Sequence, residues 1–147
     1  MNDDHPRVVI VDDDLEIRNL LEDYLKTLGY KTTTFPSPIE TIEDMHSGLL
    51  HQEIEGLSFP IIISDYVMPK MDGITFNEKV HKEFPQIPII LLTAFGTQET
   101  TKSATESGIF QVIKKPFDLS DVKSAVSKAE EHLKPRCRNC EGCSKNG

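Results

Sequence analysis

The chain has 147 residues, 37% of them hydrophobic, 27% charged and none tryptophan, the balance of one soluble domain with enough apolar side chains for a core. Collagen-like, disordered and membrane-spanning classes are excluded by those proportions. The formal net charge of −8 has the wrong sign for a protein that neutralises nucleic-acid phosphates, so no direct nucleic-acid partner is expected; Lys134, Arg136, Arg138 and Lys145 against Glu141 make residues 134–147 +3 and leave −11 on residues 1–133.

Met1 to Arg7 is acidic and leads into only four apolar residues, too few for a signal peptide or a spanning helix. The expectation is a cytoplasmic protein with no membrane partner. Val8 to Val11 is an unbroken apolar run of strand length, as are Ile61 to Ile63 and Ile89 to Leu92, the pattern of central parallel strands covered on both faces. Lys31 to Phe35 and Phe110 to Ile113 keep β-forming residues but include polar ones, and are expected at the sheet edges.

Helical periodicity fills the gaps. Ile17, Leu20, Leu21, Tyr24, Leu25 and Leu28 form one stripe, stopped by Gly29. Ile39, Ile42, Met45 and Leu49 form a second; Phe76, Val80 and Phe84 a third; Leu119, Val122, Val126, Ala129 and Leu133 the last. Thr97 to Ser107 should be a fourth helix in chain order, but Ala104 is its one strong apolar residue and its Ser and Thr side chains compete for the backbone, so it should be marginal.

Strands alternating with helices define an α/β fold, and right-handed crossovers with three apolar strands between two polar ones give a flavodoxin-like, doubly wound, five-stranded parallel sheet of order 2-1-3-4-5 with five helices. Its ligand crevice lies beyond the carboxyl ends of the strands. Asp12, Asp13 and Asp14, then Asp65, Thr93 and Lys115, all fall at those ends. Carboxylates gathered there repel one another by about 4 kcal/mol per pair at ~4 Å and an effective dielectric near 20. Oxygen ligands beside a hydroxyl and one ammonium suit octahedral Mg²⁺ and phosphoryl transfer. The opposing reading makes Asp13 and Asp14 helix caps, which is preferred for Asp14; Asp72-Gly73 is a turn and cap.

At these residues the chain resembles the receiver domain of bacterial two-component response regulators, with a stand-alone, chemotaxis-regulator-like architecture. The resemblance spans about residues 6–133 and rests on Val11-Asp12-Asp13-Asp14, on Ser64 to Gly73, on Leu92-Thr93-Ala94 and on Lys114-Lys115-Pro116-Phe117, in the family's order. It implies that Asp65 is the phosphoacceptor, that Asp12, Asp13, Asp65 and the Val67 carbonyl hold Mg²⁺, and that Thr93 and Lys115 contact the phosphoryl oxygens. It also implies a cis Lys115–Pro116 bond and a sensor histidine kinase or histidine phosphotransfer protein as donor. The output is a downstream protein, or a homodimer, met by the face of the 97–107 helix, the 110–113 strand and the 119–133 helix. No turnover is implied beyond self-phosphorylation from a phosphodonor and slow autodephosphorylation.

The chain departs from the family pattern in three places. The aromatic often found three residues before the Lys is Val112 here, leaving either backbone shifts or Phe110 or Phe95 to carry a switch. The positions that tune hydrolysis are Val67 and Phe95, neither able to orient a water, which predicts a long-lived phosphoryl group. Asp13 and Asp65 lie 52 positions apart, and the surplus over the family falls in His51 to Ser58, expected as a longer loop or helix extension. Residues 134–147 form a basic tail with Cys137, Cys140 and Cys143, most simply an unordered terminus; a metal site completed by His132, or redox or dimer-linking thiols, are the alternatives. Against the receiver reading stand a phosphorylation-independent scaffold, a phosphorelay intermediate or phosphate sink, and a haloacid-dehalogenase-type phosphatase, whose DxDx[TV] pattern fails at Leu15-Glu16.

Overall fold

Val8–Val11 (β1) is fully buried because it runs between two strands and under helices on both faces. A computed structural model of the chain describes residues 5–94, 102 and 105–133. In chain order β1 is followed by α1 (Leu15–Thr27), β2 (Thr32–Phe35), α2 (Pro38–Ser47), α3 (Leu49–Glu55), β3 (Ile61–Asp65), α4 (Gly73–Glu83), β4 (Ile89–Thr93), β5 (Gln111–Lys114) and, last, α5 (Leu119–Leu133). The sheet is parallel throughout in the expected order β2-β1-β3-β4-β5.

Strand alternation sorts the apolar runs onto two cores. Val8, Ile10, Ile61, Ile63, Ile90, Leu92 and Ile113 face α1 and α5, meeting Leu21, Leu25, Val122 and Val126. Val9, Val11, Ile62, Ile89 and Leu91 face the other way, toward Met45, Leu50, Ile54, Phe76 and Val80. Two covered faces are why the central strands carry no polar alternation. Edge strand β2 is only partly buried, as its three threonines suggest.

Asp14 caps α1, its side chain accepting from the Glu16 N–H, and Gly29 at φ +96° follows the helix end. Asp72 caps α4 by accepting from the Thr75 N–H. The stripes need correction in three places. Leu20 is 46% exposed, because adjacent Leu20 and Leu21 lie about 100° apart on a helix and the sheet covers the Leu21 side. In α2 the buried residues are Pro38, Thr41 and Met45, whereas Ile39 is exposed. Thr41 tolerates burial because its hydroxyl donates to the Ser37 carbonyl at 2.9 Å.

Leu49 is also exposed and belongs to a new helix. The chain breaks at Gly48, where a Cβ would collide with the Asp44 carboxylate. That carboxylate accepts from the Leu50 N–H at 2.9 Å, capping α3 from the helix before it. The surplus His51 to Ser58 is thus the body of a short helix and its exit, seated through Leu50 and Ile54 and tied to the strand entry by a bidentate Arg7–Glu53 pair. Within the expected 97–107 helix, Lys102, Thr105 and Glu106 are helical; the rest of that expectation to residue 104, with Phe95, lies outside the described residues, as does the tail with Cys137, Cys140 and Cys143.

Candidate functional site

Four strand ends meet at one rim. Asp12 follows β1, Asp65 and Thr93 are the last residues of β3 and β4, and Lys115 follows β5. Pairing Asp65 with Leu92 and Thr93 with Lys114 sets the neighbouring ends level. Carboxylate oxygens of Asp12, Asp13 and Asp65 lie within 4.8 Å of one another. Asp12 and Asp65 are buried and Asp13 is exposed, so the cluster opens to solvent on one side.

The Lys115 ammonium lies 2.9 Å from Asp65 Oδ1 and 4.0 Å from Asp12 Oδ2. Asp65 Oδ1 also accepts from the Tyr66 N–H at 3.0 Å. Asp12 Oδ1 accepts from the Asp14 N–H at 2.9 Å, but Asp12 Oδ2 is buried with no hydrogen-bond partner among the described residues. Burial pushes the Asp12 carboxyl up from 3.8 to about 6; the Asp14 N–H opposes that rise, and repulsion from Asp65 adds to it. Three carboxylates against one ammonium leave the ionised cluster two charges negative, which one divalent cation would balance. An orphaned, buried carboxylate oxygen in an all-oxygen donor set fits Mg²⁺.

Thr93 is buried at its strand end, and its carbonyl accepts from the Lys115 N–H at 2.8 Å, binding β4 to the segment that carries the lysine. The Lys115–Pro116 peptide is cis. Val67 stands two residues beyond Asp65 in the loop before α4, its side chain 54% exposed. Val112 packs from β5 against the core on the α4 side, while Phe110 packs on the opposite side and stacks obliquely on His132 with centroids 5.4 Å apart.

The structure adds residues that motif spacing missed. Arg18 Nη1 donates to the Asp12 carbonyl at 2.7 Å. Gly73 packs so closely beneath the site that a Cβ would sit 2.7 Å from the Asp65 carbonyl and collide with Leu91. Asn77, wholly buried in α4, donates to the Ser107 carbonyl at 2.6 Å. Gly73 was legible as part of Asp72-Gly73, though only as a turn; the other two left no periodic signal.

Comparison with known proteins agrees with this geometry. The family model described as "Response regulator receiver domain" matches residues 8–127, and the chain belongs to that family. It is 32% identical over 133 residues to the DNA-binding transcriptional regulator NtrC of Escherichia coli K12, covering 88% of this chain and 26% of the relative. To the C4-dicarboxylate transport transcriptional regulatory protein DctD of Rhizobium meliloti it is 29% identical, over 86% of this chain and 25% of that protein. The chain thus spans about a quarter of the length of these relatives. A Francisella response regulator 1452 receiver domain superposes with a TM-score of 0.77 at 23% identity, covering 88% of this chain and all of that one, a likeness of fold. Among the described residues no helix is long and apolar enough to cross a membrane.

Proposed function

We propose that this receiver takes a phosphoryl group onto Asp65 from a phosphohistidine on a sensor histidine kinase or phosphotransfer protein, and so controls a protein partner in the cytoplasm. The observation that carries it is the convergence of Asp12, Asp13, Asp65 and Lys115 on one rim, with a buried Asp12 oxygen that has no hydrogen-bond partner among the described residues.

Among the described residues the Tyr66 N–H and the Lys115 ammonium both bond Asp65 Oδ1, and Oδ2 is taken as the atom that attacks phosphorus. The P–N bond to the donor imidazole breaks as the Oδ2–P bond forms, and the imidazole leaves with the electron pair and takes up a proton. Lys115, already within 2.9 Å of Asp65, shifts its ammonium onto a phosphoryl oxygen, and the Thr93 hydroxyl donates to another. Asp12, Asp13, Asp65 and the Val67 carbonyl would hold Mg²⁺, whose charge offsets that gathering on the transferred group. The chain's own contribution is chiefly positioning, since phosphoryl transfer asks little covalent chemistry of the protein.

Residues 1–133 form the receiver and 134–147 a basic tail in this reading. The output surface is the face of β5, α5 and the 97–107 segment, open to a protein target or to a second copy. Intact-mass measurement after incubation with Mg²⁺ and acetyl phosphate tests it. A single phosphoryl adduct is expected on the wild type and none on Asp65→Asn; no adduct on the wild type contradicts it.

A further inference from the structure

The acidic loop has to hold the Asp12 and Asp13 carboxylates close to that of Asp65 before any cation arrives, against their mutual repulsion. Its backbone is fixed at few points. The Asp12 N–H reaches the Phe35 carbonyl at 3.2 Å, and the Asp14 carbonyl accepts the Arg18 N–H at 3.1 Å as α1 begins. The Asp12 carbonyl lies past the end of the β1 ladder, and among the described residues its recorded donor is the Arg18 guanidinium at 2.7 Å, a charge-assisted bond in a partly buried setting. Arg18 reaches into the acidic loop yet makes no ion pair with any carboxylate among the described residues. Its charge goes to a backbone carbonyl rather than to a carboxylate oxygen.

We infer that Arg18 is a positioning residue for the divalent cation, clamping the Asp12 carbonyl so that the Asp12 and Asp13 carboxylates stay convergent. The inference rests on the proposed use of this pocket for Mg²⁺. Charge and geometry make opposite demands here, which gives the idea a clear sign. A cation near the pocket repels Mg²⁺, so on charge alone its removal tightens metal binding. If the clamp governs, removal loosens the loop and weakens metal binding despite the lost repulsion.

The test is Mg²⁺ titration of the full chain by calorimetry, without phosphodonor, comparing wild type, Arg18→Met, which keeps an unbranched apolar stem and loses every donor, and Arg18→Lys, which keeps a charged donor. Expected is a Kd for Mg²⁺ raised about 3- to 10-fold in Arg18→Met, the loss of one modest hydrogen bond, and within about 2-fold of wild type in Arg18→Lys. In acetyl phosphate reactions the Mg²⁺ concentration for half-maximal rate rises by the same factor in Arg18→Met while the rate at saturating Mg²⁺ is kept. An unchanged or tighter Kd in Arg18→Met overturns the inference, as does equal weakening in both variants, which would trace the effect to side-chain packing. Should Arg18→Met fail to fold in EDTA, Arg18→Leu, which likewise has no donor, takes its place under the same criteria. Failure of the receiver reading looks different: the wild type would take no phosphoryl group, whatever the Arg18 variants did to Mg²⁺ binding.

Discussion

Replacing Asp12 with Asn removes one buried negative charge while keeping the side chain's shape and the oxygen that accepts from the Asp14 N–H. Asp12 is 1% exposed, and its carboxyl is raised from 3.8 to about 6, chiefly by burial. A rise of about two pH units corresponds to about 3 kcal/mol by which the metal-free fold is weakened once that carboxyl must ionise. The sign follows from which state holds the proton. Between 3.8 and about 6 the folded protein keeps it and the unfolded chain does not, so this contribution is fully favourable below 3.8 and is lost as pH rises through 6. In EDTA at pH 7, Asp12→Asn should therefore be more stable than wild type by about 1–3 kcal/mol, a rise in Tm of roughly 2–10 °C for a domain of this size. The advantage should vanish near pH 4. Adding Mg²⁺ should stabilise the wild type by mass action and leave the variant nearly unmoved. Thermal unfolding at the two pH values, with and without Mg²⁺, reads all three effects. A variant less stable than wild type in EDTA at pH 7, or a gain that persists at pH 4, refutes the reasoning.

Gly73→Ala should lower stability by about 1–3 kcal/mol and slow phosphorylation, because its Cβ would press on the Asp65 carbonyl and Leu91; unchanged Tm and adduct yield would contradict this. Tyr30, whose hydroxyl donates to Glu130 at 2.8 Å, is pushed up to about 12 by burial and by Glu130, so stability should fall as pH rises from 10 through 12. Tyr30→Phe should lose about 1 kcal/mol near pH 8 and flatten that alkaline decline, read by urea unfolding across pH. With Val67 in the loop after Asp65, the aspartyl phosphate should persist well beyond seconds in Mg²⁺, measured as adduct decay after the donor is removed; decay within seconds would count against it.

The parts of the fold that showed in the sequence are those where one local rule decides. Val8 to Val11, Ile61 to Ile63 and Ile89 to Leu92 are apolar on both strand faces because helices cover both, and no competing reading of such runs with polar residues at their ends is comfortable. The candidate site was legible for the same reason: Asp65 and Thr93 end strands, Asp12 and Lys115 directly follow them, and parallel topology brings strand ends together. What escaped depends on partners distant in sequence or on hydrogen bonds that alter polarity. Thr41 is buried because Ser37 satisfies its hydroxyl, and α3 exists because Asp44 caps it across Gly48. The bond from Arg18 to the Asp12 carbonyl and that from Asn77 to Ser107 end on backbone atoms, which carry no residue signature.

The most direct test of the central claim is to locate the phosphoryl group. After reaction with acetyl phosphate and Mg²⁺, borohydride reduction converts an aspartyl phosphate to homoserine, which tandem mass spectrometry places in the sequence. Homoserine at position 65 alone, absent without donor, is the predicted result. Modification at another residue, or none in protein that binds Mg²⁺, would contradict the assignment of Asp65 as phosphoacceptor.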